Sequence, residues 1–329
     1  MHIVVLGQEA RYQAYRPAMP FLDRQTPAFL DKDSTEAEIA AASPEAEVLF
    51  VDAITPVTAS LMDRLPKLRL IHSEGVAFDK IDLAAARARG IDVCNNKGCN
   101  AGAVAEQAIL LMLMLLRRAL EGDRAVRQGR QMEMKERSMV EGITELSACR
   151  IGLVGFGDIA QATAARLAPF GCTLCYYAPH RRSPEEEARW GVTYLPLEEL
   201  AASCDIVSLH CAVTDRTRSM VDEAFLDRMK PTSYLINTSR GELVDNQALR
   251  RALVEGRIAG AGFDTLAPEP VPADHPLVDL PPEVRDRVVY SSHLGGSSGG
   301  AFAKAHLTMW TNARHILNGE RPTNVVNGL

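Results

Sequence analysis

Residues 150–160 read Arg150-Ile-Gly-Leu-Val154-Gly155-Phe-Gly157-Asp158-Ile159-Ala160, and a helical pattern follows over 161–168. An apolar run of β-branched and aliphatic residues predicts a buried strand. The small residues after it follow the spacing G-x-G-x-x-A. Gly155 permits the tight turn, Gly157 lets a pyrophosphate approach the backbone, and Ala160 allows close packing of helix on strand. The helix start then offers unpaired N–H groups and the positive end of its dipole to phosphate. Strand, glycine loop and helix in this order predict a parallel α/β sheet that binds a dinucleotide.

Working outward, short apolar runs alternate with amphipathic helical stretches, the pattern of parallel α/β sheets. One series of strands is expected at 2–6, 48–51, 70–72 and 92–94, with helices such as 57–65 and 83–88 between them. A second series is expected at 150–154, 173–177, 206–209, 234–237, 260–263 and 288–291. That makes six strands, the number of a dinucleotide-binding sheet. Residues 101–128 read as one long helix that leaves the first domain and packs on the second. The stretch 298–318 reads as a helix that returns to the first. The expected layout is two doubly wound parallel-sheet domains, with a Rossmann-type cofactor domain (100–294) inserted into a flavodoxin-like substrate domain (1–99 and 295–329).

Composition bounds the function class. A chain of 329 residues suits two domains, and 47% hydrophobic with 24% charged residues is ordinary for a globular protein. The net charge of −6 argues against a nucleic-acid-binding face. The opening run is short and lacks a basic region before it, so a first strand is expected there rather than an export signal. The longest apolar stretch, 108–116, is too short for a membrane span. Seven cysteines without an export signal suggest free thiols in a reducing compartment such as the cytoplasm. Cys172 and Cys175 have C-x-x-C spacing, but on a strand they point to opposite faces, which disfavours a redox pair. Cys94 and Cys99 lack further ligands at metal-binding spacing, so no metal site is expected.

The second strand of the later series ends at Ala178-Pro179-His180-Arg181-Arg182. NAD-binding loops place an acid there, about 20 residues after the glycines, for the ribose 2′-hydroxyl. Ala178 stands in its place and His180, Arg181 and Arg182 follow. Guanidinium groups recognise phosphate in a forked, charge-assisted way, so this loop predicts NADP(H) over NAD(H).

Three later segments follow strands. They are Asn237-Thr238-Ser239-Arg240-Gly241, then Asp264-Thr-Leu-Ala-Pro268-Glu269-Pro270, then Ser292-His293-Leu-Gly295-Gly296. Ligands of open α/β sheets bind at the carboxyl ends of the strands, so the three should converge. Reducing a 2-oxo acid needs a cation for the carboxylate and a proton donor for the carbonyl oxygen. Arg240 fits the first need and His293 the second. Glu269 would orient His293 and favour its protonated form. Asp264 is expected on the nicotinamide side. Each residue alone has an ordinary structural explanation, and their joint placement carries the reading.

With Gly75-Val-Ala-Phe-Asp-Lys-Ile-Asp82 and Val104-Ala-Glu106 added, the chain resembles the D-isomer-specific 2-hydroxyacid dehydrogenases, within them the glyoxylate/hydroxypyruvate reductase type, over nearly its whole length. The resemblance implies Arg240 as substrate binder, His293 as acid/base and Glu269 as its partner. It implies substrate-carboxylate binding by backbone amides at Val76 and Ala77. It implies cofactor contacts from Val104, Gly155, Gly157, Asp158, Ile159, His210, Thr217, Thr238, Asp264, His293 and Gly295. A homodimer joined through the cofactor domains is implied as well. Three departures stand out. Ala178 replaces the acid, Ala77 replaces a glycine of the substrate loop with Glu74 before it, and Ala212 replaces a proline. Glu74 would either face the pocket and repel a second substrate carboxylate or face solvent without consequence. Other readings are a relative acting on formate or phosphite, or a corepressor-like scaffold that binds dinucleotide.

Overall fold

A computed structural model describes residues 2–52 and 54–329. The chain divides into two compact units. One runs to Asn100 and resumes over Ser298–Leu329, and the other is Ala101–Ser297.

Among the described residues the first unit holds five parallel strands: β1 (Ile3–Leu6), β2 (Ala28–Leu30), β3 (Val48–Val51), β4 (Leu70–Ser73) and β5 (Asp92–Cys94), ordered β2-β1-β3-β4-β5. Strands β1 and β3 are apolar at every position because both faces are covered, and β4 adds buried His72 and Ser73 at its end. Val4, Leu6, Leu49 and Val51 enter one core while Ile3, Val5, Val48 and Phe50 enter the other. The terminal helix Gly299–Asn318 supplies Met309, Trp310, Ala313 and Ile316 to that second core. Its start is capped by Ser298, whose Oγ accepts from the Ala301 N–H at 3.1 Å, and its end by Gly319 in the left-handed region. The four-strand expectation missed β2, a three-residue edge strand.

The second unit holds seven parallel strands: β6 (Arg150–Val154), β7 (Thr173–Tyr177), β8 (Val192–Tyr194), β9 (Ile206–Leu209), β10 (Tyr234–Asn237), β11 (Gly260–Phe263) and β12 (Val288–Tyr290). Their order, β12-β11-β10-β9-β6-β7-β8, reverses direction of travel at β6, which pairs with both β7 and β9. That is the switch point at which doubly wound sheets bind ligands. Six strands were expected, and β8 is the seventh. It is a three-residue edge strand, held by pairing to β7 rather than by a pattern of its own.

The long helix expected over 101–128 is broken. Ala101–Leu116 and Ala119–Arg127 are separate helices, with Arg118 between them in the left-handed region at φ 50°. A third helix, Gln131–Glu141, follows, and there the Arg137 guanidinium meets Glu121 of the preceding helix. No glycine or proline marks the break at Arg118 in the sequence. The first helix is apolar nearly all round because Leu111, Met112 and Leu115 sit in the core with Ile151 and Leu153 of β6. Cys175 and Cys172 lie with the cores on opposite sides of this sheet, as strand alternation requires.

Candidate active site

The phosphate loop follows β6 at the switch point. Gly155 has φ +94°, and a Cβ there would lie 2.8 Å from the His210 carbonyl carbon and oxygen. Only glycine meets both demands. The clash also shows that the loop after β9 lies directly beside the phosphate loop. Gly157 differs, because a Cβ there would meet no protein atom. The protein does not demand a glycine at that position, whereas a group approaching the backbone does. The helix Asp158–Leu167 starts at Gly157 with no side-chain cap, leaving its first N–H groups for a ligand. Asp158 is exposed in the first turn, Ile159 is half-buried, and Ala160 is fully buried against the sheet, the close approach its size allows.

At the carboxyl ends of β9, β10 and β11, buried polar atoms lack protein partners. They include Thr238 Oγ1, Thr265 Oγ1 and His210 Nδ1. His210 Nε2 lies 2.9 Å from Ser208 Oγ, and desolvation lowers the imidazole from 6.5 to about 4, so it is neutral at working pH. An orphaned neutral nitrogen beside an uncapped helix start, with orphaned hydroxyls at the ends of nearby strands of the same sheet, suits a polar, phosphate-bearing ligand. These residues therefore fit a dinucleotide. Val104 is buried in the first helix of this unit. Thr217 is spent on its own loop. Its Oγ1 donates to the Ala212 carbonyl at 2.7 Å and accepts from the Thr214 N–H at 2.7 Å.

The strand after the glycine helix, β7, ends at Tyr177, and the next residue, Ala178, is buried. His180 is exposed. Arg181 grips Glu187 with two bonds of 2.9 Å, and Arg182 donates from Nη2 to the Phe156 carbonyl at 3.0 Å.

On the other side of the switch point, β10, β11 and β12 are neighbours in register, with Asn237 opposite Phe263 and Phe263 opposite Tyr290. The loops that leave them are therefore adjacent, about one strand spacing apart. The first is braced by Asn237, whose Nδ2 donates to the Arg240 carbonyl at 2.9 Å and whose Oδ1 accepts from the Ser239 N–H at 3.0 Å. Arg240 itself is exposed, with Nη1 resting on the Ser239 carbonyl at 2.8 Å. A Cβ on Gly241 would overlap Ala267 N and Leu266 C, so the Arg240 and Glu269 segments touch backbone to backbone. Two residues missed in the sequence hold that second segment. His275 Nε2 and Asn246 Nδ2 both reach the Ala267 carbonyl, at 3.0 and 2.8 Å. Neither lies in a recognisable motif.

His293 Nδ1 lies 3.0 and 2.9 Å from the two Glu269 oxygens. A carboxylate only accepts, so Nδ1 carries the proton and Nε2 is the atom left for chemistry. His293 also adopts φ +55°, a strained value for a side-chain-bearing residue. Asp264 holds it there. The Asp264 carbonyl accepts from the His293 N–H at 2.9 Å. Its carboxylate accepts from Leu294 N–H at 2.9 Å, Gly295 N–H at 2.8 Å and Ser291 Oγ. Gln107 Nε2 steadies Ser291 Oγ at 2.9 Å. Asp264 was expected on the nicotinamide side, yet both of its oxygens are engaged by the histidine loop. Gly295 is buried, and a Cβ there would sit 2.7 Å from Asp264 Oδ2.

In the first unit, the loop after β4 carries Val76 and Ala77. Their carbonyls are held by Asn95 Nδ2 at 2.7 Å and Ser73 Oγ at 2.7 Å. Among the described residues, neither of their N–H groups donates to a protein acceptor. Glu74 satisfies neither expectation. It is buried, and Arg11 clasps its carboxylate while His306 Nε2 reaches Oε1 at 2.9 Å. Despite burial, these partners lower its carboxyl.

Comparison with known proteins agrees with this geometry. Residues 109–295 match the family profile described as D-isomer specific 2-hydroxyacid dehydrogenase, NAD binding domain. The chain belongs to this family. It is 38% identical to a glyoxylate reductase of Korarchaeum cryptofilum, over 83% of this chain and 80% of that protein. A crystal structure of a Thermus thermophilus protein is 29% identical, with a TM-score of 0.82 over 99% of this chain and 100% of that one. A D-2-hydroxyisocaproate dehydrogenase structure shares the fold at TM-score 0.86 and 22% identity, over the whole of both chains. The protein is thus an NAD(P)-dependent 2-hydroxyacid dehydrogenase that reduces a 2-oxo acid. Among the described residues no helix is long and apolar enough to cross a membrane.

Proposed function

We propose that this dehydrogenase reduces a small 2-oxo acid of the glyoxylate or hydroxypyruvate type to its D-2-hydroxy acid, with NADPH favoured. The observation that carries the chemistry is the His293–Glu269 pair, which leaves Nε2 as the proton donor. A bound nicotinamide supplies the hydride. Arg240 holds the substrate carboxylate with its forked donors; in the first unit, the N–H groups of Val76 and Ala77, unpaired among the described residues, suit a carboxylate as well. In the imidazolium form, with Nδ1–H held by Glu269, His293 gives its Nε2 proton to the carbonyl oxygen as that oxygen gains charge, and the ring is left neutral. Glu269 keeps the ring in one tautomer and one orientation. The name of the Korarchaeum relative supports a small 2-oxo acid.

NADPH is favoured because Ala178 replaces the carboxylate that would bind a 2′-hydroxyl and repel a 2′-phosphate, and because His180, Arg181 and Arg182 follow it. Seven unpaired thiols suit a reducing compartment. A homodimer through the second unit is supported by exposed apolar side chains on its 119–127 and 131–141 helices: Val126, Met132, Met139 and Val140. Several exposed apolar side chains on two successive helices are consistent with a covered face. A monomeric mass in light scattering would remove that reading.

The mechanism is tested with His293→Ala. Turnover should fall by about 10²–10⁴-fold while NADPH, followed by its fluorescence, still binds. Near-normal turnover removes His293 from the reaction. For the cofactor, a wild type with higher kcat/KM for NADH than for NADPH overturns the preference.

A further inference from the structure

Arg181 and Arg182 do not stand free at the end of β7, and their partners differ in kind. Glu186 serves the helix Pro184–Trp190. Its Oε2 accepts from the Ser183 N–H at 3.3 Å and its own N–H donates to Ser183 Oγ at 3.2 Å, a reciprocal cap. Glu187, the next residue, has no part in that cap. Its Oε1 accepts from Arg181 Nε and from Tyr176 Oη, both at 2.9 Å, and its Oε2 accepts from Arg181 Nη2 at 2.9 Å.

This is the forked grip of a guanidinium on an oxyanion, and it uses the same Nε–Nη2 edge that a phosphate would take. The Glu187 side chain is only 12% exposed, against 60% for Arg181, so the carboxylate is the fixed partner and the guanidinium the accessible one. Tyr176 locks the carboxylate from the core side. Arg181 lies over the Tyr194 ring at 5.5 Å, which keeps its plane in place. The bond to Arg181 lowers the Glu187 carboxyl, so it is charged at working pH.

Arg182 is less accessible than Arg181, at 38% against 60% exposed, and its guanidinium pairs with Glu186 at 3.8 Å, although its buried Nε has no protein partner. Its backbone N–H donates to Tyr176 Oη at 2.8 Å, and its guanidinium braces the phosphate loop at the Phe156 carbonyl. That leaves Arg181 as the cation best placed to distinguish a 2′-phosphate from a 2′-hydroxyl. Its best edge is already occupied by a carboxylate.

We propose that Glu187 is a specificity-determining residue that competes with the 2′-phosphate for the Arg181 guanidinium and so moderates the preference for NADPH over NADH. The inference rests on the NADP reading of this loop. A 2′-phosphate arriving at Arg181 must displace or share the Glu187 grip, and it brings negative charge beside a fixed carboxylate. A 2′-hydroxyl carries neither penalty. Glu187 thus weakens one cofactor and leaves the other unaffected.

The test uses ligand binding to the cofactor-free protein, with 2′,5′-ADP and 5′-AMP as probes in titration calorimetry at low salt. Glu187→Gln keeps an oxygen for Tyr176 and removes the charge. It should tighten 2′,5′-ADP by about fivefold, the upper range for a partly exposed ion pair, and leave 5′-AMP unchanged. In an Arg181→Ala background the same substitution should change neither ligand. Weaker or unchanged 2′,5′-ADP binding in Glu187→Gln, or equal tightening of both probes, overturns the proposal. If Arg181→Ala weakens 2′,5′-ADP while Glu187→Gln does nothing, the competition falls and the NADP reading stands. If wild type binds 2′,5′-ADP no better than 5′-AMP and Arg181→Ala changes neither, both readings fall together.

Discussion

Replacing Asp264 by Asn separates two roles for one carboxylate. In the structure its two oxygens accept from Ser291 Oγ, Leu294 N–H and Gly295 N–H. An amide offers only one acceptor edge. Whichever way it turns, an NH2 group faces at least one of those donors. A hydrogen bond to a charged group contributes about 1.5–3 kcal/mol, so the substitution forfeits one such bond and weakens the others, roughly 3 kcal/mol in all. Against this stands the left-handed backbone of His293, at φ +55°, which costs about 1–2 kcal/mol for a residue with a side chain. The loss exceeds the strain that the loop is holding in check. His293 should therefore relax away from Glu269, and kcat for 2-oxo acid reduction should fall about a hundredfold, near 1.4 kcal/mol per tenfold. Steady-state kinetics followed by nicotinamide absorbance, with NADPH affinity measured separately by fluorescence, would show the effect in kcat with cofactor affinity nearly intact. A variant with wild-type kcat and a raised Kd for NADPH would refute the loop-anchor argument and make Asp264 a nicotinamide ligand.

Two further outcomes follow from packing and burial. Gly241→Ala forces a methyl into Ala267 N and Leu266 C, which should cost at least about 1–3 kcal/mol in denaturant melts and lower kcat/KM by spreading the Arg240 and Glu269 segments; an unchanged melt and rate would contradict the contact. His72 is fully buried, with Nδ1 on the Ser73 carbonyl at 2.9 Å and Nε2 on Asn312 at 3.0 Å, and burial lowers it from 6.5 to about 4. The unfolded chain thus takes up this proton first. Stability should be complete above about pH 6.5 and decline toward pH 4, by about 3 kcal/mol from this residue. Unfolding free energies in urea across that range should lose much of their slope in His72→Gln, and an unchanged slope would place the proton uptake elsewhere.

Much of the site could be read from the residues alone, because its chemistry is local. A glycine at φ +94° and an open glycine at a helix start are requirements of a few adjacent atoms, so Gly155 and Gly157 are visible without a fold. The capped helix start at Ser298 and the buried runs of β1, β3, β6 and β9 are legible for the same reason. Alternation of helix and strand then suffices to bring Arg240, Glu269 and His293 to one edge of one sheet, since parallel strands in sequence order present their ends together.

What only tertiary structure decided involves partners distant in the chain or elements without an autonomous signal. The edge strands β2 and β8 have three residues each and exist through pairing, which the sequence does not display. The break at Arg118 has no glycine or proline to announce it, and the helix Gln131–Glu141 beyond it went unread. Glu74 is explained by Arg11, 63 residues away, and His306, 232 residues away. His275 acts on a carbonyl eight residues earlier and looks ordinary by itself. Asp264 and Glu187 are the clearest cases. Asp264 was expected on the nicotinamide side, and Glu187 carries no sequence signal of its own. Hydrogen bonds have direction and short range, so what each carboxylate does depends on which donors the fold brings to its two oxygens.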